Sequence, residues 1–429
     1  MQQWQEISPL PPGRLQQTVR VPGSKSITQR ALIAAALADG ISFLHGPLAS
    51  EDTEYTSTAL RAMGIVVDQL GDKWRVSGQG GRIAPPATEI FLGNNGTATR
   101  FLTSVAALGH GIFLLNGDKR MSERPIGPLL SALAGWGANI RSLQDNGCPP
   151  LEIQGGGLRG GSTVLPAGKS SQYLSSLLLV APYTAQPAQL RVEGEVLSQP
   201  YVRMTMAVME SFGVAVNANS ELNLFEIPQG QYRAREYAVE GDASSASYFW
   251  AAAAVNGGTV TVANVPHPSL QGDTALVEIL AKMGCRVTRT ADGITVAAEG
   301  ELQGVEVEMG DCPDVVPTLA VVAALARGRT VIRNIAHLRI KECDRLAVMA
   351  QELAKLGVNT EEGEDFLIIE GRGRAPGYQG ATIATHNDHR IAMSFAVAGL
   401  AIPGIRIENP DCVKKSFPDF WQRFATLTT

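Results

Sequence analysis

The sequence predicts an α/β protein of two similar domains, each made of three α/β repeats with buried helices and outer sheets. Three observations lead there. Six Ala/Leu-rich segments, among them "SITQRALIAAALADG", "GTATRFLTSVAALGHG" and "SSASYFWAAAAVNGG", each run from a polar start to a β-branched strand. Between them fall five shorter helical endings, "ALRAMGIVV", "ALAGWGANI", "VMESFGVAV", "ILAKMGCRV" and "ELAKLGVNT". Their glycines, Gly64, Gly137, Gly213, Gly284 and Gly357, recur about every 71–76 residues, too long a period for a helical hairpin and right for a small α/β module.

Each module reads as first helix, strand, second helix, then one or two strands. In the first, a helix covers roughly 26–38, "ISFLH" is a strand, and a second helix covers roughly 52–62. "IVVDQL" and "KWRVSG" then pair around Gly71-Asp72, a good hairpin turn. First helices such as "LIAAALA" and "LAVVAALA" are apolar nearly all round and so belong in the interior. Second helices such as "DTALVEILAKMG" are amphipathic and end on a glycine suited to a left-handed cap. "LQQTVRV" reads as a strand before the first module and "REYAVEG" as one before the fourth. Pattern alone leaves open to which half each of these strands belongs.

The chain has 429 residues, more than one ordinary core organises. A net charge of −5 argues against nucleic acid as the main partner and leaves room for a local basic pocket. The five cysteines form no CxxC pair, which points to reduced thiols in a cytoplasmic protein. "MQQWQEISPLPPG" lacks the pattern of a signal peptide, and no apolar run approaches the roughly 18 residues needed to span a membrane. The expectation is a monomer with no nucleic-acid or membrane partner.

The chemistry-bearing residues sit where helices begin. "VPGSKSITQR" puts Lys25 and Arg30 beside a start that Ser24 or Ser26 can cap. "LGNNGTATR" offers Asn94, Asn95, Gly96, Thr97 and Arg100; "SSQYL" offers Ser170, Ser171 and Gln172; "SERPIGPLL" offers Arg124; "LSQPYVRM" offers Ser198 and Tyr201. "RIKECDRL" clusters Arg339, Lys341, Glu342, Asp344 and Arg345, and by itself reads as an exposed helix laced with ion pairs. "HNDHRIAM" and "VKKSFPDF" place Asp388, His389, Arg390 and Lys415 at two further starts. A helix start already carries positive potential, so a cation there is poorly placed unless an anion joins it. Six or more on a shared period form an anion site. Asp314, before the helix of "DVVPTLAV", and Glu342 supply the acid and base that proton transfer needs.

Some signals fail their context. Gly155, Gly157 and Gly160 match G-x-G-x-x-G, but "STVLPAG" follows where a dinucleotide fold requires an apolar helix. No GxxxxGK[ST] loop is present, and the histidines and cysteines show no metal-ligand spacing, so no cofactor and no metal is expected.

In order along almost the whole chain, "VPGSKSITQRALIAAALA", "LGNNGTATR", "ERPIGPLL", "SSQYL", "EGDASSASYF", "KECDRL", "NDHRIAM" and "KKSFPDF" resemble the enolpyruvyl transferases, in the branch acting on shikimate 3-phosphate. The resemblance implies an inside-out α/β barrel in each of two domains, 1–22 with 241–429 and 23–240, with substrates between them. It implies phosphoenolpyruvate as co-substrate, no cofactor, and glyphosate as a competitor of phosphoenolpyruvate. Shikimate 3-phosphate falls to Lys25, Ser26, Arg30, Ser170, Ser171, Gln172, Ser198, Tyr201, Asp314, His337 and Lys341. Phosphoenolpyruvate falls to Lys25, Asn94, Gly96, Arg124, Gln172, Arg345, His389, Arg390 and Lys415. Asp314, aided by Lys25, is the implied base and Glu342 the implied proton donor. This chain departs from the family pattern at His337 (usually asparagine), Asn95 (usually small), Cys343 (usually threonine) and Phe101 (usually proline).

Three rivals stand beside that reading, one of them a nucleic-acid-end enzyme on related repeats, which the net charge and the absence of a nucleotide loop disfavour. The sister transferase acting on UDP-N-acetylglucosamine carries a reactive cysteine in the loop before "RP", and "GDKRMSERP" has none. A catalytically silent anion-binding repeat protein accounts for the cations but not for Asp314 and Glu342 among them.

Overall fold

The computed structural model describes residues 4–166, 170–374 and 377–427. The chain divides into two compact units, Gly23–Val239 and Met1–Pro22 with Glu240–Thr429. The 23–239 unit holds helices α1 (Lys25–Leu37), α2 (Glu51–Ala62), α3 (Gly96–Leu108), α4 (Gly127–Gly135), α5 (Ser171–Val180) and α6 (Gln199–Ser211). The other holds α7 (Ala243–Asn256), α8 (Ala275–Lys282), α9 (Val316–Ala324), α10 (Arg345–Lys355), α11 (His389–Gly399) and α12 (Phe420–Ala425). Odd-numbered helices are the buried ones. α1, α3 and α5 pack on one another in the first unit, as α7, α9 and α11 do in the second. Every residue of α7 is buried, which its run of alanines permits because small side chains let neighbouring backbones approach.

Each repeat closes over its helices with a small sheet of constant pattern. In the first repeat Glu236–Ala238 lies parallel to Asp39–His45, and Lys73–Gln79 and Val66–Leu70 continue antiparallel. Among the described residues, five of the six sheets have four strands in this order. The sixth has three, and its antiparallel member is Trp4–Glu6 from the start of the chain. The outer faces are open to water, as the alternating burial of Asp39–His45 shows. The second helices end as their glycines require: Gly64, Gly137, Gly213, Gly284 and Gly357 all have φ between 80° and 115°.

The two ambiguous strands cross over. Leu15–Val19 pairs with Gly258–Val262, in the unit containing the C-terminal half. Glu236–Ala238 pairs with Asp39–His45 in the other unit. The chain therefore passes between units twice, at 22/23 and 239/240. The glycine-rich stretch around Gly155–Gly161 is the link between strands Leu151–Gly156 and Gly161–Leu165.

Candidate active site

Polar side chains gather at helix starts in each unit, and the two gatherings differ in charge. In the 23–239 unit Ser24 caps α1, accepting from the Ile27 amide at 3.4 Å. Asn95 caps α3, accepting from the Ala98 amide at 2.9 Å, and Ser170 caps α5, accepting from the Gln172 amide at 3.3 Å. Ser198 opens α6 at φ 56°, a left-handed conformation that costs a non-glycine residue energy and so needs a fixed surrounding. These caps bring Lys25, Ser26, Arg30, Gly96, Ser171, Gln172 and Tyr201 within a turn or two of four helix starts.

Three arginines of this unit are buried without a carboxylate in ion-pair reach among the described residues. Arg30 donates to Thr205 Oγ1 at 2.7 Å, the Ser26 carbonyl at 2.9 Å, Ser175 Oγ at 3.1 Å and the Tyr201 carbonyl at 3.3 Å. Arg100 donates to the Pro125 carbonyl at 2.8 Å and the Gly96 carbonyl at 3.2 Å. Arg124 donates to Asn94 Oδ1 at 2.9 Å and to its carbonyl at 3.2 Å. Burial lowers Arg30 to about 10, and burial together with the like charge of Arg124 lowers Arg100 to about 10. Both stay cationic at neutral pH, so the positive charge is left uncancelled. Lys25 differs, its Nζ lying 3.2 Å from Asp52. Gln172 Nε2 donates to Thr97 Oγ1 at 3.0 Å and ties α5 to α3. Gly96 has a use the sequence does not reveal. A β-carbon there would lie 2.4 Å from Arg124 Nη2, so the bare backbone is what seats that guanidinium.

In the other unit the arginines are matched by carboxylates. Arg345, the first residue of α10, is 1% exposed. Its Nε donates to Asp388 Oδ2 at 2.7 Å, Nη1 to Asp314 Oδ1 at 3.1 Å, and Nη2 to Glu342 Oε2 at 2.9 Å. Arg390 Nη2 donates to Asp314 Oδ2 at 2.6 Å. Burial works against the charge on Arg345, but Asp388, Glu342 and Asp314 overcome it and hold the guanidinium firmly protonated. Asp314 does the same for Arg390. Asp344 caps α10 and Asp388 caps α11. "RIKECDRL" is therefore no exposed helix. Ala336–Ile340 is a 3-10 turn, a bent link carries Lys341 and Glu342, and α10 begins on a buried arginine because a carboxylate cluster receives it.

Lys415 stands apart from expectation. It closes the 3-10 turn Pro410–Lys415 instead of opening a helix, an end where a cation is favoured, and its Nζ lies 3.9 Å from Glu342. His337 is buried beside Lys341 and Asp314; burial, then the charge of Lys341, lowers it to about 3, so the ring is neutral at ordinary pH. His389 is fully enclosed, with Nδ1 3.8 Å from Asp388.

Sequence reasoning passed over Asp273. It lies in the 3-10 turn Gly272–Thr274, is buried, and accepts a hydrogen bond from the Ser244 hydroxyl. Burial, then the neighbouring negative charge of Asp314, raises its carboxyl to about 7. An unfolded aspartate titrates near 4, so the folded chain binds this proton more tightly. The shift therefore destabilises the fold: the penalty is absent below about pH 4, grows as pH rises toward 7 and is constant above it. Asp273→Asn removes that ionisation. Its unfolding midpoint in urea is expected to exceed the parent's at pH 8, with the gap closing toward pH 5. An equal gap at both values would mean that Asp273 ionises normally.

Among the described residues, no group of three or more His, Cys, Asp or Glu is placed to hold a metal ion, and no helix is long and apolar enough to cross a membrane. Six α/β repeats, one unit rich in unpaired buried arginine and the other in arginine–carboxylate contacts, define a repeat protein suited to anionic substrates and proton transfer. The chain belongs to the EPSP synthase (3-phosphoshikimate 1-carboxyvinyltransferase) family, which it matches over residues 10–424. It is 46% identical over 415 residues to the 3-phosphoshikimate 1-carboxyvinyltransferase of Methanothermobacter thermautotrophicus, covering 97% of this chain and 96% of that one. It is 45% identical over 420 residues to the enzyme of that name from Nitrosomonas europaea, covering 97% of each. A solved EPSP synthase from Acinetobacter baumannii superposes with a TM-score of 0.82 at 30% identity, over 98% of this chain and 97% of that one.

Proposed function

We propose that this protein transfers the enolpyruvyl group of phosphoenolpyruvate to the 5-hydroxyl of shikimate 3-phosphate and releases inorganic phosphate. The observation that carries the reading is the division of charge. Arg30, Arg100 and Arg124 are buried and uncancelled, which suits phosphate groups, while Asp314 and Glu342 sit among cations, which suits proton transfer. Family membership supplies the substrates.

In this scheme Lys25, Ser26, Arg30, Ser170, Ser171, Gln172, Ser198, Tyr201, His337 and Lys341 hold shikimate 3-phosphate. The neutral His337 contributes an N–H where a charged ring would add one more cation. Lys25, Gly96, Arg124, Gln172, Arg345, Arg390 and Lys415 hold phosphoenolpyruvate, with Asn94 steadying Arg124 and His389 lying behind Asp388. Asp314 takes the proton of the 5-hydroxyl as its oxygen attacks C2 of phosphoenolpyruvate. Glu342 gives a proton to C3, which becomes a methyl group. The tetrahedral intermediate then expels phosphate from C2 as a methyl proton returns to Glu342 and the double bond reforms, and the hydroxyl proton held by Asp314 leaves with the phosphate. Lys25, paired with Asp52, acts as a fixed positive charge. Holding two multiply charged anions together is the main electrostatic task, and buried guanidiniums that need no reorganisation are suited to it.

The test is a phosphate-release assay. Release is expected only with both substrates present. Release from either alone, or with UDP-N-acetylglucosamine in place of shikimate 3-phosphate, would overturn the assignment.

A further inference from the structure

Arg30 poses a physical problem that its surroundings solve in an unusual way. Its guanidinium is buried, and moving a cation out of water costs several kcal/mol unless something replaces the lost solvation. Arg345 and Arg390 are compensated by carboxylates. Arg30 has four hydrogen bonds to neutral oxygens, and two aromatic faces: Phe101 with its ring centre 5.3 Å from the guanidinium carbon, and Tyr201 at 5.9 Å. A ring attracts a cation through its quadrupole while carrying no net charge. A carboxylate would hold Arg30 more strongly, but would cancel the field that an incoming anion feels. An aromatic face stabilises the cation and leaves its charge available.

Phe101 is the nearer face and belongs to a different repeat. It lies in the second turn of α3, 1% exposed, beneath an arginine of α1 whose other partners come from α1, α5 and α6. We infer that Phe101 is a positioning residue, an aromatic support that holds Arg30 in one orientation with its charge uncancelled and so sets affinity for shikimate 3-phosphate. The inference rests on the proposed function. It concerns one substrate only. Ser26 and Tyr201, whose carbonyls Arg30 engages, belong to the shikimate 3-phosphate group, whereas Arg124 is seated on Gly96 and Asn94. A competing role, in which the bulk of Phe101 shifts the α3 start and with it Gly96 and Thr97, would act on phosphoenolpyruvate.

Phe101→Leu separates the two. Leucine keeps an apolar side chain and good helix propensity but has no π face. KM for shikimate 3-phosphate is expected to rise roughly 10- to 30-fold, with KM for phosphoenolpyruvate within about two-fold and kcat nearly unchanged. In an Arg30→Gln background the same leucine change should add less than about two-fold, because the cation it supports is gone. Phe101→Tyr, which keeps the face, should stay near the parent. Phe101→Met gives the same split should the leucine variant fold poorly, which urea unfolding monitors. A rise in both KM values together, a rise for phosphoenolpyruvate alone, or a leucine effect undiminished in the Gln background would overturn the inference. If the parent protein itself releases no phosphate from the two substrates, the proposed function fails instead.

Discussion

Glu342→Gln is expected to lower turnover by roughly 10²–10⁴-fold while leaving both KM values within a few-fold, the range that loss of a general acid or base gives. The geometry explains the split. Glu342 Oε2 accepts from Arg345 Nη2 at 2.9 Å, and glutamine can keep that bond through its amide oxygen at nearly the same volume. It cannot deliver a proton to carbon. Asp314→Asn should cut turnover as severely but carry a different signature. Both oxygens of Asp314 are engaged, one by Arg345 at 3.1 Å and one by Arg390 at 2.6 Å. Neutralising it leaves both arginines with more uncancelled charge, so KM for phosphoenolpyruvate should fall or hold. Steady-state kinetics by phosphate release check both variants, and single turnovers separate chemistry from product release. Near-normal turnover in Glu342→Gln would assign proton donation to another group.

What the sequence made legible is what local chemistry decides. The six buried helices follow from apolar runs such as "LIAAALA", whose members are all buried. Second helices end at Gly64 and its counterparts because a left-handed residue is needed there and glycine adopts it without strain. Cap residues lie directly before the helices they start, so Ser24 could be read from spacing and Asn95, Ser170 and Asp388 fall at the starts the sequence marks, whereas Asp344 was hidden in a run that reads as one helix. Contacts between segments distant in sequence could not. Asp52, at the start of α2, reaches Lys25 of α1 within the first repeat, and Arg345, opening α10, meets Asp388, the cap of α11, and Asp314 in the turn before α9. No periodicity encodes such meetings. Lys415 misled because "VKKSFPDF" resembles a helix start, whereas the chain has just completed a 3-10 turn. The crossing strands were invisible for a related reason: Leu15–Val19 and Glu236–Ala238 have the same alternation wherever they pair.

Arg345→Leu should be the most damaging single change to stability, and its damage should depend on pH. The guanidinium contacts Asp388, Glu342 and Asp314, all through charge-assisted bonds, and Asp388 is fully buried. Leucine replaces the cation with apolar surface and takes away the group that bridges three carboxylates: Asp314 keeps Arg390 and Glu342 keeps Lys415 at 3.9 Å, while the fully buried Asp388 loses its guanidinium. Breaking a buried ion pair from one side typically costs about 3–5 kcal/mol, a large part of the total stability of an ordinary domain. Lysine at this position should cost less, since it keeps the charge, though a single ammonium cannot bond three carboxylates in the plane that the guanidinium fork does. The pH dependence identifies the cause. In the leucine variant the crowded carboxylates resist ionisation, so the folded state takes up protons as pH falls while the unfolded chain still holds its carboxylates ionised to about pH 4. The gap to the parent protein should therefore be widest near pH 8 and shrink toward pH 5. A cavity or packing defect would cost the same at both values. Urea unfolding of parent, lysine and leucine forms at the two pH values makes the comparison, and a pH-independent loss in the leucine form would show that Arg345 matters for its volume and not for the charges it gathers.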